Sequence, residues 1–255
     1  PEIEVSTRSV TCAGSADGQL FVVEKNAPNG GAFSYAVTGP GGAVTFDMAS
    51  RSANNLVAGI YTITVTNTLT HCDKTYTATV YSPTGLTFSH TLITTTGFTC
   101  SSGNTPRQAE IRVPSAAISG GTGSVTITYV APNGSTGTGN VFNYGDPAGG
   151  VVTITITDAS GCATSTVRTI TAYEGLDAAN ITVSSTITCG TDTVTLSITQ
   201  TGGAAFTAGT IYYAQGATAP TAAIGTAPWQ SAGTFAVTPN ATHKFWIGHK
   251  DTGCM

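Results

Sequence analysis

Charge is scarce in this chain. Of 255 residues only 9 are Lys or Arg and 13 are Asp or Glu, 9% together, against about 25% in an ordinary soluble domain. Leu occurs seven times, Lys four times and Met twice. Without these helix formers, a helical bundle, a coiled coil and most α/β enzymes are excluded. No uninterrupted apolar run approaches the roughly 20 residues of a membrane-spanning helix. The net charge of −4 leaves no basic face for a nucleic acid backbone. The hydrophobic share is nevertheless 40%, enough to build cores and too much for a disordered segment.

What is abundant is small and β-prone: 49 Thr and 31 Gly. Thr keeps β propensity on a solvent face without charge. An all-β, secreted protein is the expectation. The chain opens on Pro1-Glu2-Ile3, with no initiator Met and no leader, as a mature product or an excised piece would.

The six Cys lie at 12, 72, 100, 162, 189 and 254. In consecutive pairs they are 60, 62 and 65 residues apart, and the first members recur after 88 and 89 residues. A constant period of that length predicts three copies of one module, each the size of an immunoglobulin-like sandwich. Local text keeps the register. Thr11-Cys12, Thr99-Cys100 and Thr188-Cys189 open the copies. Alternating strands precede the second cysteines, such as Ile60-Tyr61-Thr62-Ile63-Thr64-Val65-Thr66 and Val152-Thr153-Ile154-Thr155-Ile156-Thr157. Period-2 alternation of this kind reads as a half-buried strand. Within the first copy, strands are predicted near residues 3–10, 19–24, 33–38, 44–48, 60–66 and 75–81. Turns are predicted at Asn29-Gly30-Gly31 and Gly39-Pro40-Gly41-Gly42.

The boundaries follow from Ser82-Pro83-Thr84-Gly85 and from Tyr173-Glu174-Gly175-Leu176-Asp177, which read as short, stiff hinges. They define repeats at 1–83, 84–175 and 176–255. The third ends at Met255, one residue past Cys254, so it lacks the last strand of its neighbours. Either the polypeptide continues, or another segment donates the strand.

The expected disulfides close within each copy: Cys12–Cys72, Cys100–Cys162 and Cys189–Cys254. Topology argues against this pairing. Strands B and F of an immunoglobulin sandwich run the same way, so the start of B and the end of F lie at opposite poles. Either a middle strand is irregular, or a cysteine sits within a strand, or the cysteines pair across copies. Zinc is set aside, because no two Cys are closer than 27 residues whereas zinc sites use Cys-x2-4-Cys.

Nothing in the text carries catalysis. There is no nucleophile elbow, no His-Glu-x-x-His, no phosphate loop and no calcium loop. His243 and His249, six apart on one strand face, read as a solvated surface and not as a metal site. Asp158 and Asp251 read as Asx turns before Gly-Cys. No metal or other cofactor is implied. The aromatics Tyr212, Tyr213, Trp229, Phe235 and Trp246 concentrate in the third copy. Trp229, following Ala227-Pro228, and Tyr213 are the candidate contacts for a carbohydrate ring.

Thr11-Cys12-Ala13-Gly14-Ser15-Ala16-Asp17-Gly18, then Leu56-Val57-Ala58-Gly59-Ile60-Tyr61-Thr62-Ile63-Thr64-Val65, and Asp158-Ala159-Ser160-Gly161-Cys162 resemble SprB-type repeats. These occur in very large surface adhesins of Bacteroidota, including gliding-motility adhesins exported by type IX secretion. The first copy departs at His71-Cys72, where the family has Gly-Cys. The second has Val152, and the third Phe245, in place of the family's Tyr. The resemblance implies a structural segment of a cell-surface adhesin or filament with further repeats as partners, while surface polysaccharide is a candidate partner through the third copy's aromatics and the missing motifs argue against an enzyme. Two alternatives stand beside it: a carbohydrate-binding module, and a filament subunit joined by strand donation.

Overall fold

The strand text folds as its alternation dictates. In the segment Gly59–Asn67, Tyr61, Ile63, Val65 and Asn67 are buried while the intervening Thr are half-exposed. Gly150–Asp158 repeats that pattern position for position, burying Val152, Ile154, Ile156 and Asp158. A computed structural model describes residues 1–26, 32–101, 105–187, 191–201 and 203–255. The predicted turn at Asn29-Gly30-Gly31 and the cysteine Cys189 lie outside the described residues.

The first seven strands are β1 (Ile3–Arg8), β2 (Gly18–Glu24), β3 (Phe33–Gly39), β4 (Gly42–Val44), β5 (Ser52–Leu56), β6 (Gly59–Asn67) and β7 (Asp73–Val80). They form two antiparallel sheets, β1-β2-β5 and β4-β3-β6-β7. That is the A-B-E and C′-C-F-G arrangement of an immunoglobulin-like sandwich. Leu20 and Val22 of one sheet meet Val37, Tyr61, Ile63 and Val65 of the other in one buried cluster. Each such side chain contributes about 1.5–3 kcal/mol by leaving water. The predicted Gly-Pro turn joins β3 to β4, with Gly39 opposite Gly42. Strand β5, absent from the sequence reading, pairs with β2 through an irregular register between Gly18 and Leu20.

The same order recurs twice. Along 87–170 run β8 (Thr87–Phe88), β9 (Thr94–Thr96), β10 (Thr99–Ser101), β11 (Thr105–Arg107), β12 (Ala109–Arg112), β13 (Ile118–Ser119), β14 (Val125–Val130), β15 (Thr136–Thr138), β16 (Val141–Tyr144), β17 (Gly150–Asp158) and β18 (Ala163–Ile170). Their main sheets are β9-β12-β16 and β15-β14-β17-β18, again A-B-E and C′-C-F-G. Tyr129 of β14 stacks on Phe142 of β16, ring centroids 5.0 Å apart. Then come β19 (Ile181–Thr186), β20 (Asp192–Ile198), β21 (Ile211–Gln215), β22 (Thr234–Val237) and β23 (Phe245–His249). They form β19-β20-β22 and β21-β23, with Leu196, Tyr213 and Phe235 as the core. Among the described residues no strand pairs the second edge of β23. The protein is therefore all-β and immunoglobulin-like.

The described residues gather into two compact units. One comprises Pro1–Leu92, Pro114–Thr128 and Thr155–Thr166. The other comprises Ile93–Val113, Tyr129–Ile154 and Val167–Met255. No helix among the described residues is long and apolar enough to cross a membrane.

Candidate functional site: two bridged junctions

The cysteines pair across copies. Cys12 is bonded to Cys162 over 150 residues of sequence, and Cys100 to Cys254 over 154. Cys72 is free and exposed. The expected pairs Cys12–Cys72, Cys100–Cys162 and Cys189–Cys254 are thereby corrected. The physical reason is the opposition of poles already noted. A cysteine ahead of strand B cannot reach the turn after strand F of its own sandwich, but it can reach that turn in the next.

Each second cysteine sits in a turn organised by the last buried polar residue of strand F. After β6, Asn67 Oδ1 accepts the Leu69 and Thr70 N–H groups at 2.9 and 3.0 Å. After β17, Asp158 Oδ1 accepts those of Ser160 and Cys162, both at 2.9 Å. After β23, His249 Nδ1 accepts the Thr252 N–H at 3.2 Å. In all three, the backbone N–H of this residue donates to the cysteine carbonyl at 2.9 Å. The residue before the cysteine is left-handed each time: His71 at φ 56°, Gly161 at 85° and Gly253 at 71°. This is a conformation Gly adopts at little cost. The Asx turn read at Asp158 is present. In the third turn its place is taken by His249, while Asp251 is exposed.

At the first bridge, Thr11 N–H donates to Asp17 Oδ1 at 2.9 Å, and Ser15 N–H to the Cys12 carbonyl at 2.9 Å. The linker predicted as a hinge is docked here. The Gly121 N–H donates to the Thr84 carbonyl at 2.9 Å. A Cβ on Gly120 would lie 2.0 Å from the Gly85 carbonyl oxygen, so only Gly permits this approach. Asp158 also accepts the Thr122 N–H at 2.7 Å. That bond, with those from the turn N–H groups, holds its carboxyl below the ordinary Asp range against the opposing effect of burial.

At the second bridge Cys254 is fully buried. The Cys100 N–H donates to the Thr252 carbonyl at 2.8 Å. The Tyr173 hydroxyl lies 2.9 Å from Cys100 Sγ and 3.1 Å from Cys254 Sγ. Burial raises the Tyr173 pKa, which keeps that hydroxyl a proton donor. Its ring packs edge-on against Phe98 at 5.8 Å. The next residue, Glu174, accepts the Thr207 hydroxyl at 2.6 Å and His249 Nε2–H at 2.9 Å. Since His249 Nδ1 accepts a backbone N–H, the proton sits on Nε2. His249 is 2% exposed, so the solvated strand face expected for it is corrected. His243 instead stands apart with Gln215 and Thr238. No group of three or more His, Cys, Asp or Glu side chains that could hold a metal occurs among the described residues.

Burial opposes ionisation of Glu174. The hydrogen bonds from Thr207 and His249 outweigh it, so the carboxyl is more acidic than in the unfolded chain. A depressed folded pKa adds stability above the ordinary Glu value and loses it as pH falls through the folded one. Glu174→Gln should therefore lower the melting temperature at pH 7, with the gap closing below about pH 4. Thermal unfolding of both proteins across pH 3–7 checks this. A gap that does not change with pH would contradict it.

The candidate ligand contacts are also corrected. Trp229 is 6% exposed, its Nε1–H donating to the Ala222 carbonyl at 3.1 Å. It packs where a Cβ on Gly248 would come within 3.0 Å of it. Tyr213 is 9% exposed and belongs to the core. The aromatic cluster of this region is interior packing at Tyr213, Trp229 and Phe235, as volume and apolarity favour, and half-buried at Tyr212 and Trp246. What remains open beside it is a groove of about 540 Å³, lined by Leu196, Ile198, Phe245, Trp246, Ile247 and Met255.

No protein-family model matches the chain, and no curated protein matches it. Solved structures superpose on it loosely. The three N-terminal domains of the bacteriophage RB49 highly immunogenic outer capsid protein share 13% identity over 96% of this chain and 89% of theirs, with a TM-score of 0.42. Dpr11 IG1 bound to DIP-gamma shares 11% over 68% and 100%, at 0.28. Invasin, a bacterial integrin-binding protein, shares 12% over 97% and 56%, at 0.27. The strand order A-B-E and C′-C-F-G defines the immunoglobulin-like fold.

Proposed function

We propose that the chain is a load-bearing segment of an extracellular surface array. It is made of three immunoglobulin-like repeats at 1–83, 84–175 and 176–255, and it performs no catalysis. One observation carries the reading: each bridge ties the opening cysteine of one repeat to the closing cysteine of the next. Bridges so placed fix neighbours to one another, which is a use of disulfides in spacing and holding repeats. They also imply an oxidising compartment. The finer assignment to a SprB-type adhesin of Bacteroidota, exported by type IX secretion and anchored at the cell surface, rests on the sequence resemblance alone. Burial of Trp229 and Tyr213 removes the main support from the carbohydrate-binding alternative.

Proteolysis tests the reading. Subtilisin, which does not depend on the few Lys and Arg, should cut the oxidised chain at least tenfold more slowly than the same chain kept reduced, because cleavage follows the population of opened states. Equal rates would show that the bridges protect nothing and would remove the structural role.

A further inference from the structure

The two bridges differ in what surrounds their sulfurs. Cys254 is fully buried, and its Sγ meets two hydroxyl groups, Tyr173 at 3.1 Å and Thr252 at 2.9 Å. A disulfide sulfur carries no proton, so both hydroxyls donate. Thr252 Oγ1 also accepts the Cys254 N–H at 3.4 Å, which leaves its own hydrogen for the sulfur. Cys100 is only half-buried, with its Sγ 2.9 Å from the same Tyr173 hydroxyl. At the other bridge the Thr11 backbone carbonyl lies 3.3 Å from Cys162 Sγ, an oxygen with no hydrogen to give. Beside the second bridge opens a cavity of about 370 Å³, with Phe98, Tyr173, Glu174, Asp251 and Thr252 in its walls. The acidic pair in that wall disfavours an anionic reagent and leaves a small uncharged one as the fit.

We propose that Cys100 is a thiol-exchange site, at which a small uncharged thiol or dithiol bonds to Cys100 Sγ while Cys254 Sγ leaves as a thiolate. Exchange needs an approachable sulfur for attack and a stabilised one for departure. Half-buried Cys100 supplies the first and Cys254 the second. Burial alone opposes a thiolate, and the Tyr173 and Thr252 hydroxyls offset it as fixed donors aimed at the atom where charge appears. Burial raises the Tyr173 pKa, so its hydroxyl keeps its proton as that charge forms. The nearby Glu174 carboxylate is engaged by Thr207 and His249. With a dithiol, one thiolate attacks Cys100 Sγ, the Cys100–Cys254 bond breaks, and its electron pair goes to Cys254 Sγ. The second thiol of the reagent then loses its proton and closes on the first, expelling the Cys100 thiolate. The dithiol becomes a cyclic disulfide, and the two protons it gave up complete the two protein thiols. The inference rests on the surroundings of this bond and holds whether or not the chain bears load.

The experiment treats the folded full chain with 2-mercaptoethanol, quenches it in acid and maps the mixed disulfides by peptic digestion and mass spectrometry. The adduct should sit on Cys100 at least tenfold more often than on Cys254. In parallel, dithiothreitol reduction of each bridge is followed in the same sample. Thr252→Ala and Tyr173→Phe should each slow opening of Cys100–Cys254 at least fivefold, Thr252→Ser should restore the parent rate, and Cys12–Cys162 should open at its parent rate throughout. That second bridge also reports that the fold is kept, and if Tyr173→Phe does not fold, the two Thr252 variants decide. An adduct on Cys254 or shared evenly between the sulfurs would overturn the proposal. So would a Thr252→Ala rate equal to or above the parent's, or a Thr252→Ser rate no higher than that of Thr252→Ala. Protease protection of the oxidised chain does not depend on which sulfur leaves, so the two readings fail separately.

Discussion

Pulled by its two ends, the oxidised chain should stop lengthening at roughly 250–270 Å, whereas the reduced chain should reach roughly 850–900 Å at 3.3–3.6 Å per residue. The limit follows from connectivity alone. The shortest covalent route runs from Pro1 to Cys12, across to Cys162, back along the chain to Cys100, across to Cys254 and on to Met255. That is about 75 residue spacings instead of about 255. Load therefore falls on 100–162, the stretch from β10 to the turn after β17. Residues 12–100 and 162–254 lie on longer parallel routes and stay slack. Unfolding the core around Leu20 and Ile63 would then add no length. Cys254→Ser opens the second route and should move the limit to about 105 spacings. Pairing inside each repeat would place that variant near about 130 spacings. Force-extension curves of single molecules, with and without reductant, read these lengths. A limit near 130 for Cys254→Ser, or one insensitive to reductant in the parent chain, would defeat the bridge assignment and its mechanical role together.

The parts legible in sequence are those whose determinants are local. Strands β6 and β17 could be read because alternating burial of Tyr61, Ile63 and Val65, or of Val152, Ile154 and Ile156, is written in consecutive residues. Strand β5 could not. Its buried positions are Ser52, Ala53 and Leu56, a pattern broken by the irregular register with β2 and by Asn55 at φ 58°. The bridges depend on where one sandwich lies against the next, which no spacing encodes, although the opposed poles of strands B and F already argued against closure within a copy. The burial of His249 is illegible in sequence for a related reason. Its side chain meets Glu174, 75 residues away, and the ring of Phe206, so the strand pattern around it carries no sign of its burial. Trp229 stood out as a large aromatic in a loop, and its ring is covered by β23 at Gly248, the position where only a hydrogen leaves it room.

Removing one bridge should lower the melting temperature by roughly 10–20 °C. A cross-link closing 150 or so residues contributes about 5 kcal/mol in the chain-entropy account, and for a chain of this size each kcal/mol moves the midpoint by about 2–4 °C. The loops overlap, yet the shortcut that one bridge offers the other changes the logarithm of loop length little, so the two losses should nearly add. They should not be equal. Cys12 and Cys162 are only half-buried, and replacing both by Ala removes mainly the constraint on the unfolded chain. Cys254 is fully buried beneath the Tyr173 hydroxyl. Cys100→Ala with Cys254→Ala therefore also takes both sulfurs away from that hydroxyl and empties a buried position, adding about 1–3 kcal/mol. Scanning calorimetry of the two double variants ranks them, and the Cys100/Cys254 variant should melt lower. A shift under about 2 °C for either pair, or the reverse order, would mean that the repeats hold their places by surface contact and that the sulfur bonds only decorate an arrangement already fixed.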